Sequence, residues 1–313
     1  MDNKRLYSTI CQLKKNIPLF LQPWWLDAVC KEWDVAITKN GDEVSGVWPY
    51  PIEKKINVSI LRNPILTPYL GPHIFYPEDI KDSKLDSFEY ETISGLIKML
   101  PDAKVWHLAL QPGMKQVGLF KTQGLKSAVQ QTFLIDLKND EEALLTNMKD
   151  TLRRNIKQAE KEVTITNSPD QLKQLFHFHK HTLTQKGRQL PYTLKDLQQV
   201  MDACLAHESA ALWVAKAGND IQAMVWQVWD AHCSYYLMGA QNHDTGNYKA
   251  MSALLWHTIK EAKKRGNATF DLEGSMDEGV ERFFRNFGGQ RTLYLVLQKN
   301  DSMLWKIKNM VFR

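Results

Sequence analysis

The first half of the chain alternates between strand-like and helix-like hydrophobic patterns. Strand-forming residues flank Gly41 and Asp42 in "DVAITKNGDEVSGVWPYPI", and this order predicts a β-hairpin. The next stretch, "NPILTPYLGPHIFYP", contains four prolines, which exclude a regular helix. The remaining segments of this half predict two helices, "QPWWLDAVCKEW" and residues 83–100, and two strands, "KVWHLAL" and "SAVQQTFLIDL".

The second half opens on a segment with a helical repeat, "EEALLTNMKDTLRRNIKQAEKE". Its apolar side chains are spaced three or four residues apart, which predicts one long amphipathic helix. Its basic residues recur at every fourth position and therefore share a second face. These are Lys149, Arg153, Lys157 and Lys161.

The rest of the second half predicts a regular succession of elements. A strand and two helices come first, followed by three strands in "AALWVAKAGNDIQAMVWQVWDAHCSYYLMGAQ". A helix then ends at Gly266, and the strand "ATFDLEG", a short helix, the strand "TLYLVLQ" and a closing helix, "SMLWKIKNMVF", complete the chain. Gly288 and Gly289 follow a helix with an acidic start and an arginine-bearing end, so they indicate a helix stop and not a phosphate site.

Two segment types occur in the same order in both halves. "AITKNGDEVSGVWPYPI" is echoed by "WVAKAGNDIQAMVWQVW", and "GLFKTQGLKSAVQQTFLIDL" is echoed by "RFFRNFGGQRTLYLVLQ". The matching order favours an internal duplication. We therefore predict an α+β protein with two related tandem domains, 1–138 and 139–313. Each would have a mixed, largely antiparallel sheet flanked by helices.

Composition narrows the class of protein without naming a function. A chain of 313 residues exceeds the usual size of one hydrophobic core, and its 43% apolar content is that of a globular protein. The net charge of +5 permits an anionic partner but does not demand one. The four cysteines are far apart, which predicts neither a zinc site nor a disulfide framework and favours a reducing compartment. No run reaches the roughly 20 apolar residues of a membrane span. We therefore expect a cytoplasmic protein, with peripheral membrane contact left open.

Several motifs of the second half resemble the GNAT-type acyltransferase superfamily. They are "LRRNIKQAEK", "YYLMGAQN", "FDLEG" and "GVERFFRNFGG", in that order. The combination is most similar to the branch of Fem peptidoglycan aminoacyltransferases and their acetyltransferase-like relatives. The first half resembles that branch only in pattern, and matches its degenerate N-terminal GNAT-like copy. The resemblance implies two tandem GNAT-like domains, with the acyltransferase site in the second.

The resemblance also places the binding site for the activated acyl donor. In that superfamily the strand "CSYYLMGAQ" separates from its neighbour, and the start of the next helix faces the donor. This implies donor contacts from Gln241, Asn242, Asn247, Tyr248 and Lys249. However, Lys249 and Met251 stand where an acetyl-CoA loop has glycines, so a standard acetyl-CoA loop is in doubt.

The identity of the donor therefore stays open. Fem-type enzymes, which use aminoacyl-tRNA, also lack those glycines. We expect acyl-CoA or aminoacyl-tRNA as co-substrate and no tightly bound cofactor. The alternative is that this helix only packs and binds nothing.

Glu273 and Tyr236 are the candidates for acid–base chemistry. Asp271 and Glu273 lie two apart on a strand, so they point to one side and can raise each other's pKa. We predict Glu273 as the general base, with helix capping as its alternative role, and Asp271 as a structural hydrogen-bond partner. Tyr236 is the candidate that returns a proton to the leaving group, and plain packing is its alternative.

The basic helix and the last helix supply candidate substrate-binding residues. Arg153, Arg154 and Asn155 match the Arg-Arg-Asn character of the family's first helix, and a solvated, salt-bridged surface is the alternative. Near the C-terminus, Phe284 occupies the place of the family's lysine. Any cation reaching the donor from this helix would then be Arg285.

Histidines and bulk charge argue against two other classes of site. His177, His179 and His181 spread around their predicted helix, so we predict no metal site. DNA binding is not expected. Nucleic-acid binding through the basic helix is a weaker hypothesis, because the net charge is modest.

Together these observations predict an acyltransferase. It would move an acyl or aminoacyl group to an amine on a small-molecule, lipid-linked or sugar-linked acceptor, such as a cell-wall or polysaccharide precursor. With aminoacyl-tRNA as donor, tRNA would be a partner. The alternative is a catalytically inactive GNAT-like binding or assembly module.

Overall fold

The computed structural model describes residues 3–55, 58–245, 249–274 and 276–302. The chain divides into two compact units, of which the first comprises residues 1–130 and 293–313 and the second residues 131–292. The domain boundary that we placed between residues 138 and 139 stays a prediction. The boundaries of the second compact unit, at residues 131 and 292, each fall inside a strand.

The first unit contains most of the elements expected for it. Its helices are α1 (Asn3–Leu13), α2 (Pro23–Val29), α3 (Asp82–Met99) and α4 (Val117–Thr122), and its strands are β1 (Trp33–Asn40), β2 (Glu43–Pro51), β3 (Glu53–Lys55), β4 (Val58–Arg62), β5 (His73–Ile74) and β6 (Val105–Ala109). Strand β7 (Lys126–Asp136) starts in this unit, and β13 (Gln290–Asn300) ends in it.

The sheets of the first unit confirm the predicted hairpin. β1 and β2 are antiparallel around Gly41, whose φ of +62° requires the conformational freedom of glycine, and β5 pairs with β2. In the other set of strands, β4 pairs with β3 and β6, and β6 pairs with β13. The sequence pattern did not predict α1, because only Tyr7 and Ile10 of its side chains are buried.

The second unit follows the predicted order of elements with one exception. Its helices are α5 (Glu141–Asn147), α6 (Asp150–Ala159), α7 (Leu172–Gln185), α8 (Leu194–Ala206), α9 (Lys249–Arg265) and α10 (Glu278–Arg285), and its strands besides β7 and β13 are β8 (Thr164–Asn167), β9 (Ala210–Ala217), β10 (Asp220–Trp229), β11 (Cys233–Gln241) and β12 (Thr269–Asp271). The sheet order is β7-β12-β11-β10-β9-β8, and only the β11–β12 pair is parallel.

The exception is the long basic helix, which is two helices. Met148 and Lys149 have extended backbones, with ψ of 152° and 138°, and separate α5 from α6. The amide of Lys149 donates to the carbonyl of Asn286 at 3.0 Å, and Met148 is buried. Because Met148 keeps the apolar spacing, periodicity alone could not reveal the break. Of the four basic positions only Arg153 and Lys157 lie within α6.

The two units repeat one arrangement, in which a helix connects two parallel strands. In the first, β4 leads through α3 to β6, and β4 and β6 are parallel. In the second, β11 leads through α9 to the parallel strand β12. The second unit has a mixed, largely antiparallel sheet, and the first has an antiparallel sheet of β1, β2 and β5 beside a mixed set of strands. Helices accompany the strands in both, so the predicted fold class is confirmed. The predicted closing helix "SMLWKIKNMVF" lies outside the described residues.

Candidate active site

A fork between two parallel strands is the central feature of the second unit. β11 pairs with β12 only over Cys233–Tyr235, opposite Thr269–Asp271. Beyond that point β11 continues to Gln241 beside β10 alone. The last six residues of β11 therefore have no β12 residue opposite them. This is the separation that the family resemblance implied.

The end of β12 is fixed by a hydrogen-bond network around Asp271. This residue is 2% exposed, and its Oδ1 accepts hydrogen bonds from the Thr132 hydroxyl and, at 2.7 Å, from the Glu273 amide. The same Thr132 hydroxyl oxygen accepts from the amide of Gly274 at 3.0 Å. Burial of charge is costly unless hydrogen bonds compensate for it, and these bonds provide that compensation. The geometry agrees with the structural role predicted for Asp271.

Glu273 lies two positions later, beyond the end of β12, so the prediction that it shares a strand with Asp271 is wrong. It carries two signs of an unusual environment. Its φ is +49°, a left-handed backbone that costs a residue with a Cβ about 1–2 kcal/mol. Its Oε1 is buried and has no hydrogen-bond partner among the described residues. Burial, and then the Asp271 carboxylate, raise the pKa of Glu273 well above its ordinary value. Strained residues and buried polar groups without partners concentrate at functional sites.

Tyr236 lies near Glu273 at the point where β11 leaves β12. Burial, and then the charge of Glu273, raise the pKa of its phenol. The ring packs edge-on against Phe284 of α10, with centroids 5.2 Å apart. Its hydroxyl lies over Gly239, where an added Cβ would fall 1.7 Å from the oxygen. A glycine at position 239 is therefore required for this orientation of the tyrosine.

These two groups could serve acid–base chemistry. A carboxyl with a raised pKa accepts a proton from an ammonium group more readily at neutral pH than an ordinary one. A phenol with a raised pKa stays protonated and can donate a hydrogen bond. The structure brings Glu273 and Tyr236 into electrostatic contact, as their predicted roles require. The roles themselves stay predictions.

The predicted donor-binding residues occupy the loop after β11 and the start of α9. Gln241 is half-buried at the strand end. Asn242 organises the turn, because its side chain donates to the Ile221 carbonyl at 3.0 Å and accepts from the Asp244 amide at 3.1 Å. Lys249 donates to Oε1 of Gln158 on α6 at 2.7 Å. The predicted positions Asn247 and Tyr248 lie outside the described residues.

The glycine positions of an acetyl-CoA loop are filled by packing side chains. Met251 is 3% exposed and belongs to the hydrophobic core under α9. The side chain of Lys249 reaches α6, as described above. Met251 is thus directed into the core, and Lys249 is the position where a side chain stands in place of a loop glycine at the surface.

The predicted basic residues interact within their own helices. Arg153 bonds to Asp150, Arg154 is exposed, and Asn155 is half-buried. Arg285 is 55% exposed, and its Nη1 lies 3.8 Å from the Glu281 carboxylate. Exposed ion pairs of this kind contribute at most about 1 kcal/mol to stability, so these side chains could turn toward a ligand at little cost.

The glycine pair after α10 is a helix stop, as predicted. Gly288 has a φ of +77°, and an added Cβ would lie 2.5 Å from the Asn147 carbonyl oxygen. An added Cβ on Gly289 would meet Leu134 and Ile135 of β7 at 3.2 Å. The pair therefore ends the helix and also permits close packing on α5 and β7.

Sequence reasoning missed three residues that shape this site, namely Thr132, Gly239 and Gly274. An added Cβ on Gly274 would lie 2.1 Å from the Gln131 carbonyl oxygen. Glycine inside a strand pattern indicates close approach of another group, so Gly239 had a detectable signal. Thr132 had none, because its partner is 139 positions away.

The corresponding place in the first unit is filled by the chain itself. The side chain of Asn63, just after β4, donates to the carbonyls of Thr67 and Ala109 at 3.1 Å and accepts from the Ala109 amide at 2.8 Å. The amide of Leu70 also donates to the Ala109 carbonyl. Residues 63–70 therefore cover the end of β6. The degenerate first copy itself stays a prediction.

The histidines of α7 bond to separate groups. Nδ1 of His179 lies 2.8 Å from the Tyr192 hydroxyl, and Nε2 of His181 lies 2.8 Å from the Gln185 amide. Across the described ranges, no three His, Cys, Asp or Glu side chains form a group that could hold a metal ion.

A cavity of about 390 Å³ lies beside β7, Thr269 and Phe287. None of the predicted site residues lines it. The fork between β11 and β12 therefore remains the candidate active site.

Comparison with known proteins identifies the fold and a GNAT-domain match in the second half of the chain. Residues 146–285 match the model of the acetyltransferase (GNAT) domain family. The crystal structure of FemX is similar with a TM-score of 0.67 and 13% identity, covering 100% of this chain and 99% of FemX. The family match therefore confirms the predicted GNAT domain in the second half, and the similarity to FemX shows a shared fold over the whole chain.

Two further structures share the fold. The C-terminal domain of a lysylphosphatidylglycerol synthetase candidate from Agrobacterium fabrum has a TM-score of 0.54 and 13% identity, over 98% of this chain and 96% of that one. L-PGS from Bacillus licheniformis has a TM-score of 0.51 and 11% identity, over 92% of both chains. No curated protein matches the sequence. In the part of the chain that the structure describes, no helix has both the length and the apolar content of a membrane span.

Proposed function

We propose that this chain, whose residues 146–285 match the GNAT domain family, transfers an acyl or aminoacyl group to an amine. The donor would be acyl-CoA or aminoacyl-tRNA. The acceptor would be a small molecule or a lipid- or sugar-linked precursor, such as one of the cell wall. The observation that carries the proposal is the half-buried Glu273 beside Tyr236 in the fork of β11 and β12. Its Oε1 is buried and has no hydrogen-bond partner among the described residues.

The chemistry assigns one proton transfer to each residue. Glu273 takes a proton from the acceptor ammonium, and the freed amine attacks the carbonyl carbon of the donor. The C–S bond of a thioester or the C–O bond of an aminoacyl ester then breaks, and the Tyr236 phenol protonates the departing oxygen or sulfur. The attacking nitrogen loses its second proton to solvent as the amide forms, and the proton on Glu273 restores the phenol, so the cycle releases one proton and consumes no other reactant.

Backbone groups would orient the donor. The end of β11 has no β12 residue opposite it, so its amides are available on that side to hold the donor's carbonyl or its amide-rich arm. Gln241 and Asn242 at the strand end, with Lys249, Asn247 and Tyr248 after them, would hold the donor's distal part. Arg153, Arg154, Asn155 and Arg285 would contribute positive charge or hydrogen bonds toward phosphates.

A direct test compares both donor classes on purified protein. Transfer to a panel of amines is measured with acyl-CoA and with aminoacyl-tRNA, and donor binding is measured by calorimetry. We expect transfer with one class and its loss in Glu273→Gln. Glu278→Gln, a change at an 85% exposed carboxylate of α10, is the matched control. Absence of binding and of transfer with every donor would contradict the proposal.

The alternative function is a catalytically inactive binding or assembly module. The burial of Met251 and the Lys249–Gln158 bond favour it, because both fill positions where a CoA-binding loop has glycine. It predicts that no activated donor binds and that Glu273→Gln changes only stability. The calorimetric titration separates it from the acyltransferase.

A further inference from the structure

A second cavity in the second unit has a composition suited to an anionic ligand. It measures about 520 Å³ and lies between α7 and the segment that leads into α8. Ligand pockets typically have volumes of a few hundred to about 1,000 Å³, so this one can hold a small molecule. The lining residues on which the argument depends are Phe176, Lys180, Arg188, Leu190 and Tyr192.

The charges of this cavity are of one sign. Lys180 and Arg188 line it, whereas none of its lining residues is acidic. Neither cation forms an ion pair with a carboxylate in the described ranges of the chain. Asp196 is the acidic residue closest in sequence to the lining residues of the cavity. It accepts hydrogen bonds from Thr193 in the capping box of α8. The positive charge on the cavity is therefore not neutralised from inside it.

The remaining wall is partly apolar and held in place. Phe176, Leu190 and Tyr192 are each partly buried. The Tyr192 hydroxyl is 2.8 Å from Nδ1 of His179, and burial lowers the pKa of that imidazole, so it stays neutral near pH 7. This bond fixes the Tyr192 ring as a wall of the cavity. A ligand that matches these surfaces has an anionic group joined to an apolar portion.

One ion pair connects the cavity to the segment that carries Glu273. Lys186, next to the lining residue Gly187, donates to the Asp277 carboxylate at 2.7 Å. This bond is the largest cause that lowers the pKa of Asp277. Asp277 is the N-cap of α10 and lies four positions after Glu273. The loop that lines the cavity is thus attached to the loop that holds the candidate base.

From this geometry we infer that the cavity binds a phosphate or carboxylate group carried on an apolar stem, and that this group belongs to the acceptor of the transfer reaction. Lys180 and Arg188 bind the anion, and the side chains of Phe176, Leu190 and Tyr192 pack on the stem. The link to the acceptor rests on the proposed function, whereas anion binding at the cavity does not.

The test uses calorimetry on the full chain with hexyl phosphate as the probe. We expect hexyl phosphate to bind at least tenfold more tightly than inorganic phosphate or hexanol. Hexyl phosphate alone among the three has both an anionic group for Lys180 and Arg188 and an apolar chain for the apolar wall. Lys180→Met and Arg188→Met should each weaken it about tenfold, the loss expected for one charge-assisted contact. Lys173→Met, which removes another exposed lysine of α7, should leave it unchanged.

Two more probes distinguish the source of the anion. Short-chain phosphatidylglycerol represents a lipid headgroup, and glucose 1-phosphate represents a soluble sugar phosphate. Tighter binding of either, with the same dependence on Lys180 and Arg188, supports the site and identifies its class. No binding of any probe, or binding that is equal in Lys180→Met, Arg188→Met and Lys173→Met, would overturn it. These titrations need no donor, so they test anion binding at the cavity separately from acyl transfer. A negative result would refute the anion site without refuting acyl transfer, and a negative transfer assay would not refute the anion site.

Discussion

The hydroxyl of Thr132 donates to the carboxylate of Asp271 although 139 positions separate the two residues. Thr132 lies on β7 and is fully buried, and Asp271 ends β12. Through its second contact, with the Gly274 amide, the same hydroxyl also holds the backbone that follows Glu273. The position of the candidate base therefore depends on a threonine in a distant strand.

Removing that hydroxyl should destabilise the protein strongly. Thr132→Val leaves Asp271 and the Gly274 amide short of a buried partner, which costs about 2–3 kcal/mol in the free energy of unfolding. Thr132→Ser keeps the hydroxyl, so its free energy of unfolding should fall clearly less than that of Thr132→Val. Urea unfolding of both variants measures the difference. A loss in Thr132→Val no larger than that in Thr132→Ser would mean that the hydroxyl contributes no more to stability than the methyl group does.

Gly274→Ala should also be costly, because its Cβ would fall on backbone atoms of Gln131 and Thr132. The backbone must shift, and we expect a loss of roughly 2–3 kcal/mol in the free energy of unfolding. Gly279→Ala is the matched control, because its Cβ would meet only Asp277 Oδ1 at 3.5 Å. Thermal unfolding of the two variants should differ by several degrees. Similar melting temperatures would show that β7 does not constrain position 274.

Gly239→Ala tests the orientation of Tyr236. An added methyl group would occupy the place of the phenol oxygen and turn the ring away. If Tyr236 protonates the leaving group, kcat should fall toward that of Tyr236→Phe. Gly118→Ala, which adds a methyl group in open space, should leave kcat unchanged. A Gly239→Ala variant with full kcat would remove the phenol from the mechanism.

Much of the fold could be predicted because its signals are local. The hairpin around Gly41, the stop at Gly266 and the alternating strands β9 to β11 each depend on neighbouring residues. The break at Met148 and Lys149 could not be predicted, because the bond from Lys149 to Asn286 joins distant segments. For the site, strand alternation indicated Asp271 and Glu273 together. The left-handed backbone of Glu273 and its contact with Tyr236 arise only from the tertiary fold.

The stability of the protein should depend on the charge of Glu273. Its pKa is higher in the folded than in the unfolded chain, so the folded state retains its proton longer as the pH rises. The contribution of Glu273 to stability is then fully present below about pH 4, the unfolded pKa, and is lost as the pH rises through the folded pKa. Glu273→Gln should match the wild type near pH 4 and become more stable above it.

Urea titrations of the wild type and Glu273→Gln at several pH values measure this difference. The Glu278→Gln control, at an exposed position, should show no such trend. A Glu273→Gln variant less stable than the wild type at pH 8 would mean that the carboxylate has a favourable partner in the folded state.

The most direct test of the account is the pH profile of acyl transfer in the wild type and in Glu273→Gln, with a donor that the wild type uses. The rate of the wild type should rise with pH through the raised pKa of Glu273, because the deprotonated carboxylate is the base. Glu273→Gln should lose about 100-fold or more in kcat and lack that rise. A Glu273→Gln variant with the wild-type rate and the wild-type pH profile would contradict the assignment of Glu273 as the general base.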